Sequence, residues 1–297
     1  FPQLGLPSGI LLSQLVFLLL SGLLSDEQFL AWGWRIAFLS SAVLIIVGLF
    51  IRLRIEESTD FEKVRASGRV EKLPVVEVFR RNPRGLLIGS LASIAAPATG
   101  YLITVYMVSY GTTTLRIPST TMLWIVCGIS VWSMIVMITS AVSGDRFRRR
   151  TIFAVGAGLG VLWAFPMFWL VDTRSVLLIV LGLMGIMAAN SIMSGVQPAL
   201  ITQMFPIRLR YSGSSIAYTV ASILGGGLTP LLATALYAEF GSSAAVSALV
   251  ALVCLVSLGA ILAAGPRTLQ PRDPDDPGDP GVAAPPVTTA GPAGSRS

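Results

Sequence analysis

Eight apolar runs, each about the length needed to cross a bilayer, restrict this chain more than any other feature of its sequence. They fall at 4–24, 34–52, 86–110, 120–143, 151–171, 176–204, 212–237 and 244–264. A spanning helix needs about 20 mostly apolar residues at about 1.5 Å rise each. In hydrocarbon every backbone amide must find an internal partner, so the expected fold class is an all-α membrane protein. Charge agrees, with 12% of residues ionisable against about 25% in a soluble domain. The sixth run is too long to stand upright and must tilt or project beyond the bilayer.

Basic residues set the expected orientation, because Lys and Arg accumulate in short cytoplasmic loops. All but Arg35, Arg116 and Arg174 of the 21 basic residues fall on one side of the eight runs. Both ends of the chain are therefore expected in the cytoplasm, and the net charge of +6 reflects topology rather than a nucleic-acid partner. The segment 53–85 divides two spans (1–52) from six (86–265) and carries the largest share of the loop charge. Within it Leu73 to Phe79 reads as a short amphipathic helix with Pro74 near its first turn. Residues 266–297 are rich in Pro, Gly and Asp, a composition that cannot bury a core, and read as a disordered cytoplasmic tail.

The same residues argue against chemistry. There is no histidine, the commonest metal ligand and neutral-pH proton shuttle. Cys127 and Cys254 lie singly inside apolar runs and read as packing residues. No ionisable side chain stands mid-span, where charges usually mark ion or proton paths. No metal, no cofactor and no enzymatic activity are expected. Arg35, beside Trp32 and Trp34, reads either as an interfacial anchor or as half of a gating ion pair.

Uncharged polar residues are more informative. In the sixth run Asn190, Ser194 and Gln197 fall at i, i+4 and i+7 on one face with Met187. In the third, Ser90, Ser93, Pro97, Tyr101 and Thr104 approximate one face, and Pro97 with Gly100 is expected to break or bend the helix. These two faces either line a polar cavity or make interhelical hydrogen bonds. Gln14 in the first run is a further cavity candidate, near a small-residue line of Gly5, Gly9 and Ser13. In the seventh run Gly213, Ala217, Ala221 and Gly225 form a close-packing line. Beside it lie Ser214, Tyr218, Ser222, Gly226 and Pro230, with Gly227 adjoining, a line of polar and helix-breaking residues. The turn before it, Gln203 to Gly213, contains Phe205-Pro206 and the arginines Arg208 and Arg210. Another loop, Gly144-Asp145-Arg146-Phe147-Arg148-Arg149-Arg150, places one carboxylate among arginines, where Asp145 either caps the following helix or pairs across the turn.

The loop from Asp145 to Arg149, with Arg150 following, resembles the second-half loop signature of the major facilitator superfamily. Gly33-Trp34-Arg35-Ile36-Ala37-Phe38-Leu39, the Phe205-Pro206 turn, Arg208-Leu209-Arg210-Tyr211-Ser212-Gly213 and the stretch from Gly225-Gly226-Gly227 to Pro230 together resemble the metabolite:proton symporter branch. Arg148 stands where that loop usually has Gly, and Gln203 where Glu is frequent. The resemblance implies twelve helices in two halves with alternating access to a central site. It also implies proton-coupled uptake of an organic acid, a shikimate-like compound or a zwitterionic osmolyte across the cell inner membrane. Aligned so, the chain supplies helices five to twelve, and four further helices are expected before Phe1. Asp145, Arg146, Arg149, Arg150, Arg208 and Arg210 become gating residues, and Pro97, Gly100, Gly213, Gly225, Gly226, Gly227 and Pro230 hinge and packing positions. The expected partners are a small solute, protons and lipid, with no nucleic acid and the chain acting as a monomer. A membrane sensor or interaction protein derived from such a transporter is the alternative.

Overall fold

The computed structural model describes residues 2–54, 78–80, 82–206, 209–265 and 268. The amphipathic segment from Leu73 lies almost wholly outside the described residues, as do Arg208 and nearly all of the tail after Gly265. Among the described residues eight helices are long and apolar enough to cross a membrane. They are α1 (Gly5–Leu23), α2 (Phe29–Ile51), α3 (Pro83–Thr113), α4 (Ser119–Arg146), α5 (Arg149–Asp172), α6 (Val176–Thr202), α7 (Arg210–Phe240) and α8 (Ser243–Ala263). No strand occurs among the described residues, as backbone satisfaction within hydrocarbon requires of an open bundle.

Local chemistry places the helix ends. Asn82 caps α3 by accepting from the Gly85 amide at 3.1 Å, with Pro83 in the first turn where its missing N–H costs nothing. Its Nδ2 donates to the Met204 carbonyl at 2.7 Å, tying the start of α3 to the turn after α6. Gly241, at φ 61°, closes α7, and the Ser242 hydroxyl accepts from the Ala244 amide at 3.2 Å to open α8. Short connections of this kind make consecutive helices antiparallel neighbours.

At the centre of the six-helix body stands α6, packed on α5, α4 and α3, while α8 packs on α5 and α3, and α3 on α7. Interhelical hydrogen bonds fix the α4–α6 face. Ser133 and Ser191 share one at 2.8 Å, the Ser140 hydroxyl donates to the Ile192 carbonyl at 2.7 Å, and the Trp132 indole to the Met184 carbonyl at 3.1 Å. On the other flank the Trp163 indole donates to the Gly182 carbonyl at 2.8 Å, its ring filling the space a side chain at Gly185 would need. Phe153, Met167, Phe168, Ile179, Leu183 and Ile186 fill the core between α5 and α6. Cys127 and Cys254 are free and buried, with Cys254 Sγ against Gly160.

The first two helices are arranged differently. α1 lies along α4, and α2 packs on α1. Most of the α2 surface is exposed and apolar, including Phe38, Leu39, Val43, Ile45 and Ile46. Gly5 and Gly9 meet nothing within 4 Å of where a side chain would begin.

Candidate solute cavity

The site forms where two helices interrupt their own hydrogen-bond ladders. Pro97 cannot donate to the Ser93 carbonyl, and its ring crowds that carbonyl, so α3 breaks between Ser93 and Ala95. Into the gap α8 inserts a hydroxyl. Ser257 Oγ donates to the Leu91 carbonyl at 2.9 Å and accepts from the Ala95 amide at 3.0 Å, replacing the direct backbone bond between those residues. A second irregularity follows, a wide π-type turn at Leu102–Tyr106. The break expected at Pro97 to Gly100 therefore lies about one turn earlier, where Ser257 bridges Leu91 and Ala95.

Opposite this break α7 opens into its own wide turn, Ser222–Gly227. Gly213, Ala217, Ala221 and Gly225 are all buried. A Cβ on Gly225 would stand 2.4 Å from the Ile94 carbonyl oxygen, and one on Gly226 2.9 Å from the Tyr101 ring. Gly213 faces the Phe205 ring at 2.2 Å by the same construction, whereas Gly227 meets nothing within 4 Å. Pro230, half-buried, follows in the regular part of α7.

Between these interrupted helices and α6 lies a cavity of about 400 Å³. α3 contributes Ala96, Pro97, Gly100, Tyr101 and Thr104; α6 contributes Met187, Asn190, Ser194 and Gln197. Ser133 and Met137 of α4, Tyr218 and Ser222 of α7, and Gln3, Leu6, Pro7 and Ile10 near the start of α1 complete the wall. That volume lies within the range of small-molecule sites. Among the described lining residues there is no carboxylate, lysine or arginine.

Six of the eight residues read from the sequence as cavity candidates meet there: Tyr101, Thr104, Asn190, Ser194, Gln197 and Tyr218. Ser93 and Gln14 do not. Ser93 is fully buried just before the α3 break, which turns the preceding segment away from the face that continues through Pro97. Gln14 continues the α1 line of Gln3, Pro7 and Ile10, one turn past the cavity's reach. Gln3 and Ser133 line the wall without having been singled out, since one short polar residue in an apolar run carries no periodic signal.

Part of the polar wall is already engaged. Asn190 Nδ2 donates to the Ala96 carbonyl at 2.6 Å and to Thr99 Oγ1 at 2.8 Å, fastening α6 across the α3 break. Thr104 donates to the Gly100 carbonyl at 2.9 Å, and Ser194 reaches Asn190 Oδ1 at 3.5 Å. Gln197 Nε2 and the Tyr218 hydroxyl are buried without a hydrogen-bond partner among the described residues.

Toward the arginine-rich end a second cavity of about 340 Å³ shares Gln3 and Met137 with the first and extends to Asp145 and Arg149. Asp145 pairs with Arg149 at 3.6 Å, its side chain 78% exposed, and no side chain caps α5. Of the two roles open to Asp145 the structure shows pairing. Arg150 donates instead to the Leu262 carbonyl at 2.7 Å, closing the end of α8. Arg146 and Arg210 are exposed, in the last turn of α4 and the first of α7. Arg35 lies over the Trp34 ring at 4.6 Å and donates to the Ala31 carbonyl, the geometry of an anchor at a helix end.

At the far end lies an aromatic and carboxylate cluster that no local sequence pattern marks. Tyr110 donates to Asp172 Oδ1 at 2.8 Å and Ser243 to Asp172 Oδ2 at 2.5 Å. The Tyr110 ring stacks on Tyr106 and meets Tyr237 edge-on, so the ends of α3, α5, α7 and α8 are joined.

Eight membrane-length helices among the described residues make this a multi-pass membrane protein. The chain belongs to the Major Facilitator Superfamily, whose model matches residues 6–228. It is similar to the Shikimate transporter of Escherichia coli, 36% identical over 80% of this chain and 55% of that protein. The inner membrane metabolite transport protein YhjE of Escherichia coli is 33% identical over 82% and 57%, and a putative proline/betaine transporter of Staphylococcus aureus 26% over 82% and 52%. The chain thus spans about half the length of the curated relatives it matches. A crystal structure of a D-xylose-proton symporter matches with a TM-score of 0.62 over 86% of this chain and 61% of that one, at 21% identity, and shows the same fold. The family and these relatives are transporters rather than enzymes, and the facilitator fold expected from the sequence is the one observed.

Proposed function

We propose that these eight helices serve the transport of a small organic solute, an organic acid or a zwitterionic osmolyte, by proton symport with alternating access. The observation that carries this reading is the 400 Å³ cavity, walled by uncharged polar groups where α3 and α7 interrupt their ladders. Irregular backbone at membrane depth is tolerated where protein buries it or where it lines a cavity, and discontinuous helices are a recurring way to build transporter sites. The names of the relatives, a shikimate and a proline/betaine transporter, support the solute classes.

The arginine-rich end is assigned to the cytoplasm of the inner membrane by its basic loops. The Asp145–Arg149 loop, beside the second cavity, acts in gating on that side. Gln3 and Met137 line both cavities. The test is uptake of radiolabelled shikimate, glycine betaine and proline by proteoliposomes holding the complete gene product, with and without an inward proton gradient. Gradient-stimulated, saturable uptake of at least one solute is expected. Uptake indifferent to the gradient refutes the symport, and no uptake of any of the three refutes the assigned solute classes.

A further inference from the structure

Within the cavity the protein's own hydrogen bonds divide the polar wall into groups already engaged and groups left open. Asn190, Thr104 and Ser133 have partners on α3, within their own helix or on α6. Gln197, only 3% exposed, lines the cavity from α6 while its Nε2 has no partner among the described residues, and the same holds for the Tyr218 hydroxyl on α7. A buried donor without an acceptor is costly, and at membrane depth bulk water is not at hand to relieve it. The terminal torsion of a glutamine is broad, so the amide turns toward the cavity without backbone movement.

Resting on the transport reading above, we propose that Gln197 and Tyr218 form a two-donor seat for an acceptor oxygen of the solute, a carboxylate or hydroxyl oxygen rather than an ammonium group. Nε2 carries only donors, and a phenol completes the pair by donating. An ammonium or trimethylammonium group offers neither residue an acceptor. In a zwitterionic solute the oxygen-bearing end therefore lies between α6 and α7.

The test uses the complete gene product with Gln197→Leu and Tyr218→Phe, which remove the polar atom and keep the shape. Shikimate, its methyl ester and glycine betaine are the probes. Without solute, both variants should melt no lower than the wild type, since replacing an unpartnered buried donor by an apolar isostere is neutral or stabilising. With solute, KM should rise about tenfold in each, the loss of one good hydrogen bond, at unchanged maximal rate. If the seat holds a carboxylate, shikimate and glycine betaine lose affinity and the ester does not. If it holds a hydroxyl, shikimate and its ester lose affinity and glycine betaine does not. A lower melting temperature with unmoved KM makes the two residues structural and overturns the seat alone. Absence of saturable wild-type uptake for every probe overturns the transport reading and the seat with it.

Discussion

Substituting alanine at Gly225 and at Gly227, two residues apart in the wide turn of α7, should have opposite effects. At Gly225 the new methyl would lie 2.4 Å from the Ile94 carbonyl oxygen, 3.1 Å from the Ala98 amide nitrogen and 3.2 Å from the Pro97 ring. The closest two are backbone atoms, so no side chain can rotate away. Ordinary carbon–oxygen contact requires roughly 0.8–1 Å more room, which means prising α7 from the α3 break. Overpacking of this kind costs about 1–3 kcal/mol, and rigid neighbours place it at the upper end. Alanine returns about 1 kcal/mol of helix propensity, leaving a net loss of about 2 kcal/mol. At Gly227 nothing lies within 4 Å, so only the favourable part remains. Unfolding of the purified complete gene product, followed by heat or by titration with a denaturing detergent, should separate the variants by about 3 kcal/mol with Gly225→Ala the weaker. Equal stabilities within about 0.5 kcal/mol would refute the close approach of α7 to α3.

Four further substitutions probe three separate parts of the bundle. Asn190→Leu removes both donors that cross the α3 break and should cost about 1–3 kcal/mol, at the ~0.6–1.7 kcal/mol typical of an interhelical bond in a membrane, read as a lower midpoint in the same unfolding assay. Asp172→Asn leaves one acceptor oxygen for two hydroxyl donors and should cost about 1–2 kcal/mol; Tyr110→Phe should cost less in that background than alone, a double-mutant cycle reading the coupling of the two groups. Asp145→Asn breaks an exposed pair worth under about 1 kcal/mol, so stability should hardly move while the maximal uptake rate falls at unchanged KM.

The eight spans were legible because hydropathy over about 20 residues is a collective signal that no single contact can overturn. The cavity face of α6 was legible for a related reason, since Asn190, Ser194 and Gln197 keep helical spacing through an unbroken stretch. On α3 the same reasoning carried Tyr101 and Thr104 to the wall and misplaced Ser93, because spacing arguments fail across a broken helix. What determined the break's geometry was Ser257, 162 residues along the chain from Ala95, a serine with no periodic signal of its own within the span of highest hydropathy. Asp172 posed the same difficulty. Beside Arg174 it reads as a loop residue, and its partners Tyr110 and Ser243 stand 62 and 71 residues away. Local periodicity shows which residues share a face; it does not show which distant hydroxyl completes their hydrogen bonds.

The walls of the cavity differ in the way they are held. On one side α4, α5 and α6 are joined by side-chain hydrogen bonds at several levels, from Trp163 and Trp132 through Ser133 to Ser140, so sliding α6 against its neighbours breaks several bonds together. On the other side α3 and α7 meet where each has given up part of its regular ladder, around Ser257 in one and through Ser222–Gly227 in the other. Bending there exchanges bonds that are already irregular, and glycine at Gly225 and Gly226 keeps the contact one of backbone and ring rather than interlocked side chains. A change in cavity shape is therefore least costly when α3 and α7 move against a fixed α4–α5–α6 block. Asn190 sets the resistance, because its two bonds to Ala96 and Thr99 are the link from that block to the break. Gln197 on the fixed side and Tyr218 on the bending side would then be drawn together by a solute oxygen held between them, coupling occupancy of the cavity to the position of α7.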